Sequence, residues 1–341
     1  MKILVTGGAG FIGSNFVRYL LKVRRDVELF NFDKLTYAGN IESLADVAQD
    51  PRYHFVRGDI ADQQAVGEIF KHEFDAVIHF AAETHVDRSI EDASPFLRTN
   101  ILGTHCLLEA ARRFRVMRFI HISTDEVYGS APAGESFTEE VTLSPRSPYA
   151  ASKASAEHLV TAYANTHGVT AVILRCTNNF GPFQFPEKLI PLMIANARED
   201  KPLPIYGDGL QERDWLFVED YCRAIAVTLD KATPDTVYNV SSGVPQPNLK
   251  VVRTILQHLG KPETLIQYVK DRPGHDRRYS LDSSKIRREL GWTPRITFED
   301  GIRKTIEWYQ ANTVWLDRAR SGEYRRYYDR HYTRRSETFR T

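Results

Sequence analysis

Tyr149 and Lys153 stand four residues apart in the segment SPYAASK, residues 147–153. On a helix that spacing sets a phenol and an ammonium on one face. A phenol is a poor base at its ordinary pKa of ~10. A neighbouring ammonium stabilises the phenolate, and the pair can then take a proton from an alcohol while hydride leaves the same carbon. A second group is Thr124, Asp125 and Glu126, in STDEVYG (123–129), directly after the apolar run Phe119–Ile122. A hydroxyl beside two carboxyls suits elimination chemistry when the surroundings push the two pKa values apart, one group serving as acid and the other as base. Capping of a loop or helix is the other role open to the two carboxyls.

Both groups need an electron acceptor and a scaffold, and the first thirteen residues suggest one. Lys2–Gly13 reads KILVTGGAGFIG: an apolar run, glycines at 7, 10 and 13, then a helical pattern. Gly7 permits a tight turn, Gly10 lets backbone approach a pyrophosphate, and Gly13 lets the helix pack close to the strand. The helix N-terminus then offers free N–H groups to phosphate. Asp33 follows Gly13 by twenty residues at the end of the next apolar run. A carboxylate there accepts from both ribose hydroxyls and repels a 2′-phosphate, which favours NAD over NADP; the adjacent Lys34 works against that discrimination. Asp59, in RGDI, is placed either to reach the adenine or to cap a strand end.

The elements that must position these residues are legible in outline. Strands are expected at Lys2–Thr6, Val27–Phe32, Tyr53–Arg57, Ala76–Phe80, Phe119–Ser123 and Thr170–Arg175. Most are continuous apolar runs, as in a parallel sheet covered on both faces. Helices are expected at Phe11–Arg24, Asp62–Lys71, Pro95–Phe114 and Pro148–His167, the last capped by Ser147 with Pro148 at its first position. This order implies an α/β fold with a Rossmann-type doubly wound parallel sheet. After Arg175 the chain is heavily punctuated by Gly and Pro. A smaller, mostly C-terminal substrate-binding unit is expected there. The division is 1–178 with about 217–243 for the dinucleotide unit, and about 179–216 with 244–332 for the other. Val218–Asp230 and Val237–Val240 read as a returning helix and strand of the sheet. Phe298, Ile302, Ile306 and Tyr309 mark one face of an amphipathic helix. Residues 333–341 read as a polar tail.

Composition narrows the class. The 341 residues are 42% hydrophobic, and 45 Lys and Arg oppose 44 Asp and Glu for a net charge of +1. That balance gives no electrostatic case for a nucleic acid or an anionic membrane as the main partner. No apolar run approaches the ~18 residues that cross a bilayer, and the first residues carry no leader pattern, so a cytoplasmic protein is expected. Cys106, Cys176 and Cys222 are odd in number and widely spaced, which points to neither a disulfide framework nor a zinc site; no metal is expected.

The glycine loop, Asp33 and the Tyr149–Lys153 pair together resemble the extended short-chain dehydrogenase/reductase superfamily. STDEVYG, AAETHVDRS (81–89), NNFGPFQFPEKLIPL (178–192), PIYGDG (204–209), RDW (213–215) and DRPGHDRRY (271–279) narrow the resemblance to the dTDP-glucose 4,6-dehydratase family, from residue 1 to about 332. The resemblance implies a tightly held, recycled NAD. It implies that Tyr149 removes the C4 hydroxyl proton with Thr124 on the same oxygen. Glu126 would remove the C5 proton, and Asp125 would protonate the departing C6 hydroxyl. NAD would be surrounded by Gly7, Gly10, Phe11, Ile12, Gly13, Asp33, Lys34, Leu35, Thr36, Asp59, Ile60, Ala81, Ala82, Glu83, Thr84, His85, Thr99, Tyr149, Lys153 and Asn179. The nucleotide sugar, dTDP-glucose, would meet Thr84, Thr124, Asn178, Lys188, Leu189, Pro204, Ile205, Tyr206, Arg213, Asn248, Asp271, Arg272, Pro273, Gly274 and His275. Arg213 and His275 would face its diphosphate, with a salt bridge to Asp214 or Glu212 and a satisfied loop histidine as their alternatives. A homodimer is implied, built on Pro95–Phe114 and Pro148–His167, with Leu102, His105, Cys106 and Glu109 serving interface or core.

Three other functions stay open. A nucleotide-sugar 4-epimerase would use Thr124, Tyr149 and Lys153 but needs no acid–base pair. A CDP- or UDP-linked 4,6-dehydratase would use all five residues. A nucleotide-binding scaffold would use none of them chemically.

Overall fold

The structure, a computed structural model, describes residues 1–321. The expected tail at 333–341 lies outside the described residues. Seven parallel strands form the central sheet: β1 (Lys2–Thr6), β2 (Glu28–Asp33), β3 (Tyr53–Arg57), β4 (Ala76–His79), β5 (Arg118–Thr124), β6 (Ala171–Cys176) and, returning late in the chain, β10 (Thr236–Val240). Their spatial order is β10-β6-β5-β4-β1-β2-β3. The order reverses between β1 and β4, so loops leaving the carboxyl ends there diverge and open a crevice.

Helices cover both faces, which is why these strands are largely apolar and mostly buried. On one face α1 (Phe11–Val23) buries Phe16, Val17, Leu20 and Leu21 against β1 and α8 (Val218–Lys231). On the other, α2 (Gln63–Phe70), α5 (Thr104–Arg113) and α6 (Pro148–His167) bury Val66, Phe70, Leu107, Leu108 and Val160. The ends of α6 follow the capping rules: the Ser147 hydroxyl accepts the Ala150 N–H at 3.1 Å, and Gly168 closes the helix in the left-handed region at φ 67°.

The stretch expected as one helix, Pro95–Phe114, is interrupted. A short turn, α4 (Ser94–Phe96), leads into a π-helical segment, Leu97–Gly103, before α5. The wide turn carries buried Asn100 inward. There its side chain exchanges hydrogen bonds with the backbone of Glu83 and donates to Ser152 Oγ at 2.8 Å. Strand β2 runs one residue later than the sequence pattern suggests, ending on Asp33 itself.

Between β6 and β10 the chain leaves the sheet. It builds β7 (Asn178–Phe180), α7 (Leu189–Arg198), β8 (Leu203–Tyr206) and β9 (Glu212–Phe217) before α8 returns. After β10 come β11 (Pro245–Pro247), α9 (Asn248–Leu259), β12 (Ile266–Val269), α10 (Ser284–Leu290), α11 (Phe298–Ala311) and α12 (Thr313–Ala319). Strands β7, β9 and β11 form one small sheet, and β8 pairs with β12 in another. A separate apolar core gathers Ile190, Met193, Ile205, Trp215, Val251, Ile255, Ile302, Ile306 and Tyr309.

Candidate active site

A cavity opens at the carboxyl ends of the strands. Gly7 after β1, Asp33 at the end of β2, Asp59 after β3, Ala81 after β4, Thr124 ending β5 and Cys176 ending β6 all line it. Around them stand Gly10, Phe11, Ile12, Gly13, Lys34, Thr36, Ile60, Ala82, Glu83, Thr84, Thr99, Asp125, Glu126, Tyr149, Lys153, Asn178, Asn179 and Lys188. Of the residues expected at the cofactor, only Leu35 and His85 stand back from the wall. Leu35 takes a positive φ of 58° and gives its N–H to Asp33. His85 is buried at the start of helix α3 (Val86–Glu91), 3.9 Å from Glu187.

One end of the cavity fits a dinucleotide. A Cβ at Gly13 would lie 2.3 Å from the Gly7 carbonyl oxygen, and one at Gly7 (φ 72°) 2.6 Å from Ala81 N. Only glycine lets the loop lie this close. The first turn of α1 has no side-chain cap, so its N–H groups are available to an anion. The Asp33 carboxylate accepts N–H groups from Ala9 at 2.9 Å and Leu35 at 2.8 Å, and keeps lone pairs for further donors. Asp59 caps its own turn through Ala61 and also lines the cavity. Its Oδ2 holds Lys34 at 2.7 Å, so that ammonium is drawn towards Asp59. Asn179 Oδ1 is buried with no hydrogen-bond partner among the described residues.

The other end holds the reactive groups. Lys153 Nζ donates to the Ile122 carbonyl, and burial lowers its pKa to about 8 against the pull of Glu157. Tyr149 is buried, and its phenol is pushed well above its ordinary value by burial and by the carboxylates of Glu126 and Asp125; a hydrogen bond from Thr124 favours the anion. The Thr124 hydroxyl donates to Asp125 Oδ1 at 3.2 Å and accepts the Glu126 N–H at 3.2 Å, capping the single turn that carries both carboxyls.

The two carboxyls differ. Burial and the neighbouring Glu126 charge push Asp125 well above the usual carboxylate range, and its buried Oδ2 has no hydrogen-bond partner among the described residues. Burial also raises Glu126, but Arg272, Arg213 and Lys188 all oppose it. The first is therefore suited to hold a proton and the second to accept one.

The remaining expected substrate residues sit beyond this wall. Arg213 makes neither alternative salt bridge: its guanidinium donates to the carbonyls of Glu212 and Asp276 and lies 4.2 Å from the Tyr279 ring centre. Its charge reaches Asp125 and Glu126. Arg272 pairs with buried Asp87 at 3.2 Å, and the Tyr206 hydroxyl donates to the same carboxylate at 2.9 Å. His275 Nδ1 lies 2.6 Å from Asp271 Oδ1; burial, Arg272 and Arg213 lower the pKa of the imidazole to about 4. Asn248 stands at the start of α9 with Oδ1 unpartnered, while Pro273 and Gly274 are exposed on the same loop as Arg272. Leu189, Pro204 and Ile205 face inward, Ile205 deep in the apolar core.

Sequence reasoning missed Gln184, Phe185 and Glu187, all on the wall, and Asp87 behind it. Burial raises Glu187 to about 7 despite Lys188 and Arg88. A carboxyl set beside Lys188 in a proline-punctuated stretch was the available signal.

A family model described as GDP-mannose 4,6 dehydratase matches residues 4–305. A Salmonella typhimurium protein named dTDP-glucose 4,6-dehydratase is 49% identical, over 97% of this chain and 99% of its own. The Streptomyces venezuelae dTDP-glucose 4,6-dehydratase DesIV, solved with NAD bound, superposes with a TM-score of 0.91 at 47% identity, covering 94% of this chain and 100% of that one. A Thermus thermophilus UDP-glucose 4-epimerase in complex with NAD reaches 0.84 at 34% identity, over 92% and 100%. Dehydratases and epimerases thus share this fold.

Proposed function

The chain belongs to the dTDP-glucose 4,6-dehydratase family, and from that premise we propose how its residues divide the work. The reaction converts dTDP-glucose to dTDP-4-keto-6-deoxyglucose and water. The cofactor is NAD, which supplies reversible hydride acceptance, first from C4 and last towards C6.

The glycine loop and the first turn of α1 would hold the pyrophosphate, and Asp33 the ribose. Tyr149 Oη takes the C4 hydroxyl proton, with Lys153 favouring the phenolate and Thr124 orienting the oxygen. The resulting 4-ketone makes the C5 proton acidic. Glu126 takes that proton, Asp125 gives its own to the C6 oxygen, which leaves as water, and C5 takes a proton originating from solvent as C6 regains hydride. Lys188, Arg213 and Arg272 supply positive charge for the diphosphate, where charge-assisted hydrogen bonds are strongest.

The observation that carries this reading is the Asp125–Glu126 pair beside Thr124, opening on the same cavity as Tyr149 and Lys153. An epimerase has no use for a separate acid and base. The test is mass spectrometry of the product from dTDP-glucose in deuterated water without added NAD. Loss of one water with one deuterium at C5 is expected. Conversion of glucose to galactose at unchanged mass would make the protein an epimerase, and turnover of CDP- or UDP-glucose alone would reassign the base.

The proposal extends to organisation. Residues 1–178 with about 217–243 serve the cofactor, and about 179–216 with 244 onwards serve the nucleotide sugar. Two copies associate through the outer faces of the 94–113 stretch and α6. Supporting this, Leu97 and Leu102 are 48% and 57% exposed there, while Leu107 and Leu108 face the core. A cytoplasmic setting agrees with three free thiols. Among the described residues no helix is long and apolar enough to cross a membrane.

A further inference from the structure

Behind the cavity wall a buried ion pair joins α6 to β6. Glu157 is 2% exposed and accepts from Arg175 Nε at 3.0 Å and Nη2 at 2.7 Å. The Ser123 hydroxyl donates to the same carboxylate. Arg175 Nη1 donates to the Tyr128 hydroxyl at 2.6 Å, which in turn donates to Asn239 Oδ1 at 2.9 Å. Ser123 and Tyr128 bracket Asp125 and Glu126 in the chain, and Glu157 lies one helical turn beyond Lys153. One ion pair therefore grips both ends of the acid–base turn and the helix that carries the redox pair. Desolvating two charges costs several kcal/mol, so such a pair is a poor investment for stability alone.

We infer that Glu157 is a positioning residue for the reaction: with Arg175 it fixes Lys153 and the Asp125–Glu126 turn relative to one another. This rests on the residue roles proposed above. Glu157 also sets the charge at Lys153. The groups facing that ammonium are Glu157 on α6, Cys176 on β6, His79 on β4 and His121 on β5. Burial pushes His79 down to about 3 and His121 well below its ordinary value, and burial raises Cys176 to about 12, so all three are neutral at pH 7. Glu157 is the carboxylate that holds the Lys153 proton against desolvation.

The test reads Lys153 directly. Lysine is labelled with carbon-13 at Cε, and the Lys153 resonance is identified by its loss in Lys153→Met. The wild-type midpoint should fall at about 8. In Glu157→Gln it should drop by about one pH unit. The alkaline limb of kcat should move with it, KM should change little, and Glu157→Asp should restore the midpoint. Because Glu157→Gln leaves Arg175 unpaired, the neutral double variant Glu157→Gln/Arg175→Met is made in parallel. It should melt near the wild type and keep the lowered midpoint. An unmoved midpoint or alkaline limb in a folded variant would overturn the inference. So would unfolding of both variants, since the pair would then serve the fold rather than the site. If the wild type fails to dehydrate dTDP-glucose, the function proposed above fails, while the NMR midpoint still decides this point.

Discussion

Lys153 Nζ donates to the carbonyl oxygen of Ile122 at 2.6 Å. Ile122 lies two residues before Thr124 on β5, so the helix bearing the phenol is tied to the strand that delivers the two carboxyls. Oxidation at C4 and elimination across C5 and C6 demand different groups over adjacent carbons of one sugar. A shared strand end and a hydrogen-bonded helix keep those groups in register without help from a mobile loop.

Replacing Tyr149 by Phe removes the proton acceptor and little volume. Turnover should fall by roughly 10²–10⁴-fold, while NAD still copurifies with the protein. Assayed activity near that of the wild type would remove Tyr149 from the C4 step.

The variant Asp125→Asn/Glu126→Gln keeps the Tyr149–Lys153 pair. With dTDP-glucose it should accumulate the reduced-cofactor absorbance and release no dehydrated product. An unchanged dehydration rate would exclude both carboxyls from the elimination.

Removing the Asp33 carboxylate in Asp33→Ser should weaken NAD binding and narrow the preference over NADP by at least about tenfold, the equivalent of ~1.4 kcal/mol. Titration of both dinucleotides by fluorescence measures the ratio.

Asp87 gives a pH signature. Burial disfavours its charge, but Arg272, His85 and the Tyr206 hydroxyl overcome this and hold its pKa at about 2, below the ordinary 3.8. A depressed carboxyl stabilises the fold above its unfolded value and loses that contribution as pH falls through the folded one. The window is therefore about pH 4 down to 2, and the contribution is about 2 kcal/mol. Urea unfolding should show Asp87→Asn destabilised at pH 7, with the gap to wild type narrowing between pH 4 and 2. A constant gap would mean that Asp87 contributes through packing alone.

The central sheet was readable because parallel strands covered on both faces are largely apolar runs, and β6 opens on one, the residues AVIL before Arg175. The N-terminal cap of α6 was equally plain in Ser147 and Pro148. The small sheets were not. Strand β8 pairs with β12 some sixty residues later, and β11 is three residues containing two prolines, so no local pattern announces either. The π-helical segment escaped because its cause, Asn100 reaching the backbone of Glu83 and Ser152, is a tertiary one. At the site, the groups proposed to do chemistry stood out by type and spacing. Their electrostatic neighbours did not: Arg272 beside Asp87, or Arg175 beside Glu157, meet only when the chain has folded.

The chain's departure from the sheet after β6 also governs the order in which the protein can assemble on the ribosome. Strand β6 is completed at Cys176, but the strand that covers its open edge, β10, starts only at Thr236. At translation speeds of about 5–20 residues per second, that edge waits several seconds for its partner. Throughout that interval the nascent chain carries an apolar strand, AVILRC, with a free row of backbone donors and acceptors, the kind of template on which chains stick to one another. Yield in overexpressing cells should therefore depend on how well that unfinished edge is shielded while the intervening sixty residues are made.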